Sequence, residues 1–314
     1  MACALYLPGP FAAATVVLRM KLIVQPDAGV QPIVNAIKRA TKSIDVLIFR
    51  LDIEEVAKAL SDAVSRGVVV RALIAHTNSS GTKRLRKLEA RFLECGVSVS
   101  QTADDLVRYH GKMMIVDGQT LHLYGFNFTW LDITKSRSFG LITRNRRLLQ
   151  EASRLMDADC ARKPYEPGLK EFVVSPVNAR DQLAAFLKGA KKQLLIYDPK
   201  VSDRAMLRLL VERVKAGVDV RIIGKTGSAK SGLTAEKYPG KRLHVRAIVR
   251  DGESVFIGSQ SLRKLELDKR REVGAVVRNR LVARQLATIF EDDWARTEAG
   301  RHDRKVQERG RNVA

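Results

Sequence analysis

An internal repeat constrains this chain more than any other feature: residues 30–74 and 181–224 pass through the same order of apolar patterns. In the first copy Ile33, Val34 and Ile37 recur at helical spacing before the apolar run Ile44-Asp45-Val46-Leu47-Ile48-Phe49. In the second, Leu183, Phe186 and Leu187 precede Leu194-Leu195-Ile196-Tyr197. Runs this short and this apolar read as buried strands. A helix is expected after each strand. Asp52 is placed to cap the first, with Glu55 three residues on as in a capping box, and Ser202 is placed to cap the second. Both helices should end at glycine, Gly67 or Gly217, where a further strand begins, Val68 to Ile74 or Val218 to Ile223. Strand, crossover helix and strand in this order imply parallel pairing with helices across the sheet.

Outside this shared plan the copies differ. After Gly67 the first has room for a helix over Arg84 to Cys95 and a strand at Val97-Ser98-Val99, whereas Lys225 to Arg242 in the second reads as a polar loop. Pro164, Pro167, Gly168 and Pro176 mark residues 162–180 as a linker. Beyond Trp294 the chain is charged and is expected to fray. The expected division is an extension over 1–20, repeats over 21–161 and 181–297, the linker between them, and a basic tail over 298–314. Residues 1–19 are rich in small apolar residues but are broken by Pro8-Gly9-Pro10 and lack the basic stretch of a secretion signal. Met20-Lys21 leads straight into the strand-like Leu22-Ile23-Val24, so Met1 and Met20 both remain open as starts.

Composition bears on the partner. Lysine and arginine total 56 against 34 acidic residues, a net charge of +22, which favours an anionic partner without choosing between nucleic acid, an anionic membrane and a phosphorylated small molecule. With 45% hydrophobic and 29% charged residues the chain reads as globular with a real core. Cys3, Cys95 and Cys160 form no close pair and no metal-ligand spacing, which suits a reducing, cytoplasmic setting. No stretch approaches the roughly 18 apolar residues of a spanning helix, so a lipid substrate would be met peripherally, at the membrane surface.

The segment with most chemistry is His110-Gly111-Lys112-Met113-Met114-Ile115-Val116-Asp117-Gly118, matched in the other copy by His244-Val245-Arg246-Ala247-Ile248-Val249-Arg250-Asp251-Gly252. Residues two apart on a strand share a face, so His110 with Lys112, and His244 with Arg246, each aim an imidazole and a cation at one spot. Asp117 and Asp251 lie seven positions after the histidines and face away; with the glycine that follows they read as structural residues of hairpin turns. His76, His122 and His302 have no such counterpart and read as packed or solvated residues. The clusters Lys83-Arg84-Arg86-Lys87 and Lys269-Arg270-Arg271 read as solvated faces, the second being near enough to a half-site to meet an extended anion.

Histidine, one residue, lysine, four residues and aspartate, present at matching places in both copies with Arg246 for the lysine in the second, resembles the phospholipase D superfamily over about residues 22 to 297. The resemblance implies an α/β pseudo-dimer of two phospholipase D-like repeats, each a mixed sheet flanked by helices, with the two motif strands facing one another. It implies phosphodiester hydrolysis or transfer through a phosphohistidine, with no metal or other cofactor. In the family a glycine-serine-any-asparagine sequence follows the motif, and then an acidic residue. Here those positions are Tyr124-Gly125-Phe126-Asn127 with Ser138, and Gly258-Ser259-Gln260-Ser261 with Glu272. Each copy has lost different members. The carboxylate in the family reaches across to the other repeat, which puts Glu272 behind His110 and makes His110 the expected nucleophile. His244 is then the general acid and base. Lys112 and Arg246 would hold the non-bridging oxygens, with Asn127, Ser259 and Ser261 as substrate-binding residues. Arg246 departs from the family's lysine, and a planar guanidinium is not the geometric equivalent of an ammonium.

The leading expectation is a phospholipase D or cardiolipin synthase-like enzyme acting on phospholipids. A nuclease or DNA-end-processing phosphodiesterase is the second. From another class, Arg246, Ser261 and Ser138 are compatible with a weakened, binding-only protein for nucleic acid or phospholipid. Both half-sites come from one chain, so no oligomer is required.

Overall fold

The computed structural model describes residues 20–76, 83–227 and 232–311; the N-terminal extension with Cys3 and its signal-like stretch lies outside the described residues. Each repeat builds a mixed sheet in which the two parallel strands expected from sequence are the centre of a longer run. In the first the order is Met20–Gln25, Ser136–Thr143, Thr120–Tyr124, Met113–Val116, Ser43–Leu47, Val69–Ile74 and Ser98–Gln101. In the second it is Phe172–Val174, Val273–Arg278, Ser254–Gly258, Ala247–Arg250, Gln193–Val201, Asp219–Thr226 and Thr234–Glu236. Position by position the two orders correspond. Ser43–Leu47 pairs with Val69–Ile74 in parallel, as does Gln193–Val201 with Asp219–Thr226, and the strands on the motif side are antiparallel.

Alternation along the strands shows where the cores lie. Met113 and Ile115 face a core shared by both repeats, while Met114 and Val116 face one belonging to the first repeat alone. In the second repeat Leu195 and Tyr197 face the shared core, and Leu194 and Ile196 a core of their own. Strands buried on both faces account for the continuous apolar runs in the sequence. The shared core is completed by two equivalent helices, Arg146–Cys160 and Arg280–Trp294, which lend it Leu148, Leu155, Leu286 and Phe290.

Several sequence expectations are corrected. The helix Glu54–Ser65 has Ile53 at its N-cap, because the Asp52 carboxylate instead accepts the backbone N–H of Trp130 at 2.7 Å. The helix Arg204–Lys215 is capped by Asp203, not Ser202: its carboxylate accepts from the N–H groups of Ala205 and Met206 at 3.0 and 3.1 Å. The linker contributes the edge strand Phe172–Val174, and the polar loop contributes Thr234–Glu236. Both strands are only three residues long, too short to leave a periodicity, and Thr234–Glu236 has no apolar run. The charged tail continues as a helix, Glu298–Arg311, anchored where Trp294 Nε1 donates to Asp303 at 3.3 Å. Among the described residues no helix is long and apolar enough to cross a membrane.

The two motif aspartates act on backbone. Asp117, in the left-handed region at φ 55°, accepts from the N–H groups of Thr41, Lys42 and Ser43, and Asp251, also at φ 55°, from those of Lys191, Lys192 and Gln193. Each carboxylate thus ties its hairpin to the start of the neighbouring central strand. Burial works against ionisation, but these backbone donors hold both carboxyls below the usual aspartate range. Because the folded pKa is depressed, the stabilisation is complete above the unfolded value near 3.9 and is lost as pH falls through the folded one. Asp251→Ala should lower stability by about 1–2 kcal/mol at pH 7, read from the denaturant midpoint, with the difference shrinking towards pH 2–3. An unchanged midpoint at pH 7 would contradict the staple.

Candidate active site

His110 and His244 lie just before the strands Met113–Val116 and Ala247–Arg250, in extended segments that have left their own sheets, a small correction to their placement on the strands themselves. Each segment pairs with the opposite repeat. Arg108–Tyr109 runs parallel to Arg270–Arg271, and Arg242–Leu243 runs parallel to Ser136-Arg137. The backbone N–H of His110 donates to the carbonyl of Arg271 at 2.7 Å, and that of His244 to the carbonyl of Arg137 at 3.1 Å. Each accepting residue immediately precedes the acidic position of its repeat, Glu272 or Ser138. The exchange therefore delivers each histidine to the acidic position of the other half.

A cavity of about 690 Å³ opens over this junction, and His110, His244, Arg246 and Asn127 all line it. His110 Nδ1 is 2.9 Å from the Glu272 carboxylate, and the Phe49 ring packs edge-on against the imidazole with centroids 5.0 Å apart. Lys112 is fully buried below the cavity, and its Nζ donates to the His110 carbonyl at 2.5 Å. Arg246 lies 3.7 Å from Glu266, while its Nε and Nη1 have no hydrogen-bond partner among the described residues. Unpaired buried donors of this kind are a fitting cradle for an anion.

The remaining sequence candidates are placed differently. The Asn127 side-chain amide donates to Asp132 at 2.8 Å, while its Oδ1 stays unpaired among the described residues. Ser259 is buried behind the wall, where its hydroxyl accepts the Val273 N–H at 3.1 Å and bonds Glu272. Ser261 is buried too, donating to Asp198 at 2.6 Å. Neither serine lines the cavity. Two carboxylates that do line it, Asp132 and Glu266, carried no signal in the motif spacing; both lie five residues after the asparagine position, at Asn127 and Ser261. Of the basic cluster, Arg270 lines the cavity, whereas Arg271 is buried in an ion pair with Asp159 at 3.0 Å. His122 is buried in the first sheet, away from the site, and His76 bonds Gln101 at 2.8 Å.

Burial dominates the electrostatics. It pushes the His110 pKa well below the ordinary 6.5, and the charges of Lys112 and Arg246 push it further. His244 moves the same way through burial and Arg246, with Asp132 opposing. Burial also takes Lys112 down to about 7 against the pull of Glu272. Glu272 is raised by its own burial, an effect countered by Lys112 and the Ser259 hydroxyl. Both imidazoles are therefore neutral at pH 7. Donation of Nδ1–H to Glu272 leaves Nε2 as the bare nitrogen of a neutral His110.

Two α/β repeats that each bring a histidine to one shared cavity, with a cation two residues later in each, define a phospholipase D-like protein, a superfamily of phosphodiesterases and transferases. The chain belongs to the family described as cardiolipin synthase, PLD-like domain, whose profile matches residues 33–160 and 183–294. Among solved structures it is similar to polyphosphate kinase from Porphyromonas gingivalis, at 18% identity and TM-score 0.70, over 87% of this chain and 50% of that one. It is also similar to phosphatidylserine synthase from Haemophilus influenzae Rd KW20, at 12% identity and TM-score 0.66, over 87% of this chain and 85% of that one. The chain thus spans about half the length of the kinase, and at these identities the likeness is one of fold. Comparison with curated protein sequences found no match.

Nitrogen-15 NMR at pH 7 should find both His110 and His244 neutral, with the His110 proton on Nδ1. An imidazolium at either position, or a His110 proton on Nε2, would contradict this electrostatic account.

Proposed function

We propose that this protein cleaves phosphodiesters through a phosphohistidine, with phospholipids as substrates and either water or an alcohol as acceptor. The observation that carries the reading is the pair of imidazoles from opposite repeats on one cavity, His110 buried and His244 largely so, each with a cation two residues later. His110 Nε2 attacks phosphorus while the bond to the leaving oxygen breaks, and that oxygen takes a proton from His244. In the second half, water or an alcohol gives its proton to His244 and attacks phosphorus, releasing His110. Glu272 supports the charge His110 acquires. Arg246, and Lys112 from below, stabilise the charge on the non-bridging oxygens. Asn127, Ser259 and Ser261 serve substrate binding through the walls they brace, and Asp117 and Asp251 hold the strands that carry the cations.

His244 must carry a proton before it can protonate the leaving group. In the free site burial and the surrounding cations disfavour that proton, and an entering phosphodiester anion offsets those cations. Lys112 must also stay charged, yet its pKa is only about 7. The profile of kcat/KM should therefore fall as pH rises through about 7 and beyond. A rate still climbing at pH 9 would sink this assignment.

Support for a lipid comes from the apolar part of the cavity, where Phe49, Leu51, Leu85, Leu88 and Leu131 give an acyl-glycerol portion something to lie against. Leu131 and Trp130 are exposed on the short helix Trp130–Lys135, as suits peripheral contact with an anionic membrane. The second reading, a nuclease, is favoured by the basic part of the same cavity, Arg50, Lys87, Arg91, Arg108, Arg263 and Arg270. Neither reading requires a second copy of the chain. Wild type and His110→Ala should be incubated with phosphatidylglycerol vesicles, phosphatidylcholine vesicles and a labelled oligonucleotide. The expected outcome is lipid cleavage reduced at least about 1,000-fold by the substitution. Cleavage of the oligonucleotide alone would select the nuclease. Salt-sensitive DNA binding with no turnover would leave a binding protein.

A further inference from the structure

The two histidines are not supplied with carboxylates in the same way. Glu272 serves His110, but its counterpart at position 138 is a serine whose hydroxyl has no partner among the described residues. His244 nevertheless faces a carboxylate: Asp132 Oδ2 lies 3.3 Å from His244 Nδ1, and Nδ1 has no hydrogen-bond partner that competes for it among the described residues. Asp132 is only 3% exposed.

Asp132 and Glu266 are structural equivalents. Each lies five residues after the asparagine position, and each accepts the backbone N–H of that residue, Asn127 at 2.9 Å or Ser261 at 2.6 Å. They are used differently. Glu266 turns to the cations of its own repeat, Arg263, Arg270 at 3.2 Å and Arg246 at 3.7 Å. Asp132 is held by Arg242, an arginine of the opposite repeat two residues before His244, and by the Asn127 amide. Arg242 takes Oδ1, and the Oδ2 that lies near the imidazole also accepts from the backbone and side-chain amides of Asn127. Burial disfavours the charge of Asp132, but His244, Arg242 and Asn127 together hold its pKa below the usual aspartate range, so it is ionised at pH 7.

We infer that Asp132 is the positioning residue for His244, a carboxylate that stands in, from another place in the same repeat, at a half-site whose acidic position is Ser138. This deepens the proposed reaction and rests on it. Asp132 fixes the tautomer of His244 and favours the protonated form that the leaving-group step requires. The competing, purely structural role for Asp132 is to cap the turn at Asn127 and to pair with Arg242; that role leaves the titration of His244 to the cations around it, Arg246, Lys112 and Arg242.

Histidine titration by NMR on the full chain separates these roles, and it needs no substrate. Asp132→Asn keeps an acceptor for the Asn127 N–H while removing the charge. It should lower the pKa of His244 by about 1–2, leave that of His110 where it was, and reduce kcat at least about tenfold with KM little changed. Arg242→Gln should act in the opposite direction and raise the His244 pKa, a second variant with a distinct sign should Asp132→Asn fold poorly. Adding Ser138→Glu to Asp132→Asn should raise the His244 pKa again. A His244 titration that is the same in wild type, Asp132→Asn and Arg242→Gln overturns the inference, as does Asp132→Asn turning over at the wild-type rate. A wild type that cuts no phosphodiester would defeat the proposed reaction instead, and the titration would still decide whether Asp132 governs His244.

Discussion

The backbone exchange between repeats underlies everything else in the site. Just before each histidine the chain leaves its own sheet and runs parallel to a segment of the other half, Arg108–Tyr109 on Arg270–Arg271 and Arg242–Leu243 on Ser136-Arg137. Two buried ion pairs lock the exchange. Arg271 of the second repeat pairs with Asp159 on the last helix of the first, and Arg137 of the first pairs with Asp293 on the last helix of the second, both at 3.0 Å. Breaking such a pair by removing one partner typically costs about 3–5 kcal/mol, because the other charge stays buried. The halves are therefore joined where the histidines must meet, and the shared core behind them is continuous.

Once joined, the halves bury an unusual concentration of charge. Lys112 and Glu272 have no exposed surface, and Arg246 and His110 are nearly covered. Such burial disfavours every ionised group, and it is tolerated because cations and carboxylates alternate across the junction. Net positive charge remains towards the cavity, where Arg246 keeps two unpaired nitrogens among the described residues. A site of this kind is completed by an anion.

Much of this was legible in the sequence, and the reason is duplication. A repeat turns a weak eight-residue pattern into a pair of equivalent positions, so His110, Lys112, His244 and Arg246 could be named from sequence. Counting onward along the pattern of the family it resembles reached Glu272, which lies 2.9 Å from His110. Asp117 and Asp251 were readable as turn residues because Asp-Gly after an apolar strand has a local meaning. What stayed hidden depends on contacts between segments far apart in the chain. Asp132 lies 112 residues from His244, and the pairing that unites them is a short strand exchange with no periodicity of its own. The edge strands Phe172–Val174 and Thr234–Glu236 were missed for a related reason, since three residues gain strand geometry only from the neighbour they pair with. The helix caps went wrong at Asp52 because tertiary structure had a better use for its carboxylate, the Trp130 N–H.

The halves are thus related in fold but unequal in chemistry: one histidine is backed by the acidic position of the other repeat, and the other is faced by a substitute. In the reaction proposed above, an unequal pair makes His110 the one nucleophile and gives the reaction a direction. The most direct test is to quench the enzyme during turnover of a phosphorus-32-labelled phosphodiester without acid and to map the label by peptide mass spectrometry. The account predicts at most one phosphoryl group per chain, on His110. Label on His244, or on both histidines, would contradict it.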